Sequence, residues 1–321
     1  MRTAVLSLCL LFLLQAGAAA YEIIKSPELK ISGYTQLGYA RDNSTTAGNY
    51  TFEDHFKLYK SRFTFKADID PKVSMNVQMD VAAKNVSGNL INILTDAYLD
   101  AKYLKGHIIR FGQFKLPLGL ENPIPDSKTF PVNSSMVKTL CLNTRDIGID
   151  VSAKTGNYEY HAGLVNGTGA NKSDDNTGKD VYAAGAIVSD RLRAGGAMLS
   201  SSGRTSVNTL KRIMNGFVQY TPVWGEVDIE AFRGSDKNNK KRFGWYASVI
   251  PQLNPRTWLV LRYENYDPNV TVSSGQANKT TLGILYQASK YTKFKLNYEW
   301  RNDKSVTTEG DALLFLWQVE Y

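Results

Sequence analysis

Cysteine is almost missing from this chain. Cys9 and Cys141 are the only two, and Cys9 lies in an N-terminal leader, so the mature chain keeps a single thiol and can form no internal disulfide. Histidine is nearly as scarce. His55, His107 and His161 fall on separate segments, without metal-site spacing and with no Cys-x-x-Cys-His for haem attachment. After residue 20 no run approaches the roughly 18 uncharged apolar residues that a membrane helix needs, and mean hydropathy is −0.30. Basic clusters are lacking too. The formal charge of +8 is scattered along the chain, whereas a nucleic-acid partner calls for grouped Lys and Arg. A disulfide-stapled domain, a helical membrane protein and a nucleic-acid binder are all excluded.

The N-terminus has a pattern of its own. Arg2 supplies a positive start, residues 4–14 (AVLSLCLLFLL) an apolar core, and Ala18-Ala19-Ala20 a small-residue cleavage site. Residues 1–20 are therefore expected to be a secretory signal peptide, too short for a membrane helix and removed before folding. Leu8 precedes Cys9 where lipoprotein processing needs a small residue.

Alternation is what the chain has in abundance. Leu313, Phe315, Trp317, Val319 and Tyr321 place a bulky apolar group at every second position, the mark of a strand with one face in an apolar medium. Period two recurs in about sixteen segments near the length of a tilted membrane strand. They are 29–41, 56–69, 73–82, 93–103, 107–115, 145–154, 158–166 and 180–189, then 191–200, 210–221, 226–234, 242–251, 256–267, 278–288, 291–302 and 311–321. Tight turns (Asp70-Pro71, Lys105-Gly106, Thr155-Gly156, Trp224-Gly225, Asn254-Pro255, Ser289-Lys290) alternate with polar loops at 42–54, 83–92, 167–179, 201–209, 235–241, 268–277 and 303–310. Short turns on one side and long loops on the other describe an outer-membrane barrel. The expected fold over residues 21–321 is all-β, a transmembrane antiparallel barrel of about 16 strands. The longest connection, 116–144, has four prolines and apolar residues to bury, so this third outer loop is expected to fold inward.

Energy assigns the faces. A Lys or Arg in lipid at mid-membrane costs about 2–4 kcal/mol, so Lys60, Arg62 and Lys66 must line water while Phe63, Phe65 and Ile69 face lipid. On strand fifteen Phe294, Leu296, Tyr298 and Trp300 point outward, and Lys293, Lys295, Asn297, Glu299 and Arg301 inward. Arg110, Lys211, Arg242 and Arg262 follow the same rule. Asp80, Asp96, Asp100, Asp146, Asp150, Glu226, Asp228, Glu230 and Glu264 also land inside, so acidic walls are expected to oppose basic ones. Tyr103, Tyr158, Tyr263 and Trp300 mark interfacial girdles. Near the long loop, Lys115, Lys128, Lys138 and Arg145 stand against Glu121 and Asp126. Either these cations tip the narrowest point positive, or Asp126 pairs with Lys128 and leaves it nearly neutral. The candidate pore-lining and anion-binding residues are thus Lys60, Arg62, Lys66, Arg110, Lys115, Lys128, Lys138, Arg145, Arg242, Arg262, Lys293 and Lys295. No metal or cofactor site is expected, and no enzyme: Glu159 and His161 share a face without a nucleophile, and Ser134-Ser135 have no histidine near them in sequence.

Several stretches resemble one family. Asp96-Ala97-Tyr98-Leu99, the run Phe111-Gly112-Gln113-Phe114-Lys115-Leu116-Pro117-Leu118-Gly119-Leu120-Glu121, Arg145-Asp146-Ile147-Gly148 and Val165-Asn166-Gly167-Thr168-Gly169 are similar to the phosphate-selective porin O and P family. Trp245-Tyr246-Ala247 and Thr281-Leu282-Gly283-Ile284 resemble its later strands. The resemblance implies a sixteen-stranded homotrimeric porin of the bacterial outer membrane, held in lipid, whose third outer loop constricts the pore. Small anions, phosphate and polyphosphate are the implied solutes. An Arg-Arg-Ala-Arg-Leu-like stretch is common on the family's second strand; here Tyr59-Lys60-Ser61-Arg62-Phe63 replaces its first arginine with Tyr59. A non-selective or weakly cation-preferring porin, and a barrel sheath around an envelope partner protein, are the alternatives.

Overall fold

The computed structural model describes residues 28–321 apart from 47–48, 83–92, 143, 175, 203–209, 237, 239, 273–274 and 304–307. The leader, the loop expected at 83–92 and most of that at 201–209 lie outside the described residues. Sixteen strands form: β1 Leu29–Thr46, β2 Asn49–Asp70, β3 Val73–Asp80, β4 Leu94–Ala101, β5 His107–Lys115, β6 Arg145–Thr155, β7 Tyr158–Val165 and β8 Asp180–Val188. The second half adds β9 Leu192–Ser201, β10 Leu210–Tyr220, β11 Gly225–Asp236, β12 Lys241–Asn254, β13 Thr257–Asp267, β14 Ala277–Gln287, β15 Thr292–Asp303 and β16 Thr308–Glu320. Each pairs antiparallel with its neighbours in sequence, and β1 closes on β16 into a barrel. At the seam the Gly33 N–H donates to the Tyr321 carbonyl at 2.8 Å and the Tyr321 N–H returns to the Gly33 carbonyl at 3.0 Å.

The alternation does what the energetic rule requires. On β15, Lys293, Lys295, Asn297 and Glu299 are buried inside while Leu296 and Trp300 are exposed outside. On β16, Leu313, Phe315 and Trp317 stand outward, as does Tyr321 just beyond its end, and Phe294 stacks on both Phe315 and Trp317 across the strand boundary. Tyr103, Tyr158, Tyr263 and Trp300, the residues expected to form girdles, are exposed.

Two local departures from strict alternation matter. The loop expected at 42–54 is mostly strand, because β1 runs to Thr46 and pairs with Asn49 of β2. Above the membrane a ladder continues in water, where its side chains need not be apolar, so hydropathy underestimates its length. The expected loops 235–241 and 303–310 shorten for the same reason. Within β2 the pairing passes from Gln36–Lys60 to Leu37–Leu58, leaving Tyr59 as an extra residue. This bulge breaks the alternation just where the family's first arginine is replaced.

Residues 116–142 leave the wall after β5 and cross the barrel interior. Leu116, Leu118 and Val137 bury against Phe114, Tyr182, Ile213, Phe232 and Tyr246, inward-facing residues that give the loop an apolar seat. Each fully buried side chain of this kind contributes about 1.5–3 kcal/mol. Polar anchors fix the loop to β11–β16. Glu230 accepts the N–H groups of Leu120 (3.0 Å) and Glu121 (3.2 Å), and Glu264 accepts that of Met136 at 2.5 Å. Gly119 has φ +82°, and a Cβ there would collide with Glu230 Oε1.

Two outcomes are expected from this packing. Leu296→Arg, which puts a charge on the lipid face, should destabilise the barrel by about 2–4 kcal/mol, read as a shift in urea unfolding from phospholipid vesicles. Gly119→Ala should cost about 1–3 kcal/mol from backbone strain and the displaced Glu230, and should add noise to single-channel currents as the loop loses its anchor.

Candidate functional site

A charge turned into the barrel needs water or a counter-charge. The loop carries one such counter-charge at its first helical turn, Asp126–Lys128. Asp126 Oδ2 lies 3.0 Å from Arg62 Nη2 and is also bonded by Lys60 Nζ. Asp126 Oδ1 takes Lys138 Nζ at 2.9 Å and lies 3.7 Å from Lys115 Nζ. Arg62 turns its Nε to Asp80 at 3.0 Å and covers the Tyr34 ring. Four cations thus meet two carboxylates, and the cluster is positive. Burial pushes the Asp126 carboxyl up, but Lys115, Lys60, Lys138 and Arg62 outweigh it and hold the group well below the usual carboxylate range. The carboxylate is therefore ionised at neutral pH, and its contribution to these pairs is lost on acidification through that depressed value.

The twelve predicted residues separate by location. Lys60, Arg62, Lys115 and Lys138 form the Asp126 cluster. Beside it Arg145 makes a two-pronged bond to Asp96 at 2.9 and 3.3 Å. Arg110 does the same with Asp100 at 2.7 and 2.9 Å, its guanidinium 3.8 Å from the Tyr98 ring centroid. Lys66 is exposed on the inner wall of β2. Lys128 lies apart from Asp126, with its Nζ 3.3 Å from Glu320, so the pairing that would have neutralised the cluster does not form. Arg242 sits near the outer rim, 3.6 Å from Asp236.

The other three are beneath the loop rather than on open lumen. Lys295 donates to the carbonyls of Thr129 (2.6 Å) and Pro131 (3.2 Å), and Lys293 to that of Ser127 (2.9 Å). Arg262 donates to Ser248 Oγ at 3.0 Å and faces Glu121 at 3.7 Å. A buried irregular loop brings unpaired carbonyls, and Lys293 and Lys295 satisfy three of them. Lys279 was not singled out by the sequence, yet it pairs with Glu264 at 3.1 Å. The signal available was their direct cross-strand register.

On β3 and β4 the acidic residues are paired rather than free: Asp80 with Arg62, Asp96 with Arg145 and Asp100 with Arg110. Glu159 pairs with Arg193, while His161 Nδ1 lies 3.0 Å from Asp150, which also accepts the Tyr182 hydroxyl at 2.6 Å. Ser135 is part of the loop, its N–H donating to Glu121 at 3.0 Å and its Oγ accepting the Lys138 N–H at 3.1 Å. Among the described residues no group of His, Cys, Asp and Glu gathers as a metal site.

Two of the cavities beside the loop share a border at Arg110 and Lys115. Tyr34, Arg62, Lys66, Pro125 and Arg145 line one, against β1–β6. Asp150, His161, Arg193, Phe217 and Pro117 line the other, against β5–β10. Arg110, Lys115 and Pro123 border both.

Solved structures with this fold are numerous. The anion-selective porin from Comamonas acidovorans superposes with a TM-score of 0.67 at 13% identity, over 92% of this chain and 100% of that one. The outer membrane channel DcaP of Acinetobacter baumannii gives 0.68 at 10% identity over 92% and 97%. OmpT of Vibrio cholerae, an outer-membrane protein, gives 0.65 at 9% identity over 91% and 97%. At these identities the likeness is one of fold. No curated protein matches the chain in sequence. A profile of phosphate-selective porin O and P does match residues 29–221, well over half the chain and all of the segment from β1 through the inserted loop to β10. On that match the chain belongs to the phosphate-selective porin O and P family.

Proposed function

We propose that this porin forms a water-filled channel across the bacterial outer membrane through which small hydrophilic solutes diffuse passively, with a preference for anions and with phosphate or polyphosphate among its cargo. The observation that carries the reading is the Asp126 cluster, where Lys60, Arg62, Lys115 and Lys138 exceed the carboxylates they touch. Positive charge at a narrow point lowers the barrier for an anion that sheds part of its hydration, provided binding stays weak enough for release. Arg110 and Lys115 are the cations a solute meets where the two cavities join, with Lys66 and Arg145 on the approach. Arg262, Lys293 and Lys295 act indirectly, by holding the loop in place. The selectivity named for the Comamonas structure supports the same sign. The family's chemistry is transport, and we assign no hydrolytic role to the His161–Asp150 pair.

We further infer a homotrimer in the outer membrane, exported by a cleaved leader. One solved relative of this fold, OmpT of Vibrio cholerae, is described in a trimer form. Three chains per particle by light scattering in mild detergent is the expected result.

Selectivity is tested in planar bilayers under a KCl gradient. The reversal potential should fall on the anion side; a cation-side value overturns the preference. One elementary charge about 8 Å away in water is worth about 0.5 kcal/mol, with opposite sign for anion and cation. Arg110→Gln should therefore lower the anion-to-cation permeability ratio by roughly fivefold. A barrel that stays silent in bilayers and co-purifies with a second envelope protein would favour the sheath reading instead.

A further inference from the structure

A pocket of four cations is the place where a permeating anion would be expected to rest. Here that place is taken by a group of the chain itself. Lys60, Lys115 and Lys138 have their described ion pairs with Asp126 and with no other carboxylate, and only Arg62 has a second one, Asp80. The carboxylate arrives from the loop, whereas Lys60, Arg62 and Lys115 come from the wall strands β2 and β5. The cluster is not sealed. Arg62, Lys115 and the adjoining Pro125 border the cavity that also carries Lys66 and Arg145, and the Lys60 side chain is 30% exposed. Three of the four cations are lysines, whose long flexible stems let an ammonium move from one acceptor to another.

We propose that Asp126 is a tethered anion that competes with permeating anions for the basic cluster, and so sets how tightly the channel holds them. This rests on the anion-channel reading and adds a residue that controls affinity. The physical need is plain. Four cations in a partly desolvated site would trap a divalent oxyanion, and conduction requires release. A carboxylate on the same chain is always present at high effective concentration. As an oxyanion enters from the cavity it takes over Lys115 and Arg62, and Asp126 keeps Lys60 and Lys138. When the oxyanion moves on, Asp126 recovers all four, which drives release. No bond is made or broken; only the ion pairs change partners.

The test is made on the purified full chain in planar bilayers, titrating the chloride current with inorganic phosphate. Asp126→Asn should bring phosphate block to at least about tenfold lower concentration, lengthen the blocked times and move the reversal potential further to the anion side. An Asn variant that folds, as judged by its β-type circular dichroism, yet keeps the wild-type block overturns the proposal. If the channel proved cation-preferring, the anion-channel reading would fail on the wild type alone, while a shift in block between the wild type and the Asp126→Asn variant would still report the competition. Should the single variant not fold, Asp126→Asn is combined with Lys138→Met to restore the charge balance and compared with Lys138→Met alone. The same tenfold gain in phosphate affinity is expected; equal affinities would overturn the proposal.

Discussion

Lipid offers a backbone no hydrogen-bond partners, so every N–H and C=O at membrane depth must be satisfied by the protein. Closure of β1 on β16 meets that demand for the wall, and most of the remaining architecture follows from it. A closed ladder of alternating residues has one face for acyl chains and one for everything else. Charges cannot go outward, so they crowd inside. There they become the resource from which the loop seat and the passage are both built.

The inserted loop meets the same constraint a second time. Residues 116–142 bring irregular backbone into the barrel, and its polar groups must also be answered. Glu230 and Glu264 take N–H groups, and Lys293 and Lys295 take carbonyls. The inner wall of β11–β16 thus serves as a socket. The cations left over, on β2, β5 and the start of β6, gather around or beside Asp126. Inward-facing charge has two uses here, and position relative to the loop decides which one a residue serves.

This division explains what could be read from the sequence. Period two gave all sixteen strands, because the lipid face is a local requirement imposed on every second residue. The facing of Lys293, Lys295 and Arg62 followed from the same energetic rule. What those side chains touch did not, since Lys295 meets Thr129 and Pro131 only after the chain has crossed the barrel. Asp126 was visible as one acidic residue among loop cations, but its neighbour Lys128 was the obvious partner by spacing. The fold carries Lys128 to Glu320 and brings Lys60 and Arg62 from a strand more than sixty residues earlier. The bulge at Tyr59 left no mark either, because one extra residue hardly disturbs a pattern averaged over ten.

The seat of the loop also divides the barrel mechanically. Along β11–β16 the wall is backed by loop backbone hydrogen-bonded to Glu230, Glu264, Lys293 and Lys295, so lateral pressure from the bilayer meets a stiff backing. Along β1–β6 a cavity lies on the inner side, and the loop is tied to that wall by the ion pairs of Asp126. Membrane tension or a change in bilayer thickness should therefore deform this pore into an ellipse flattened on its hollow flank.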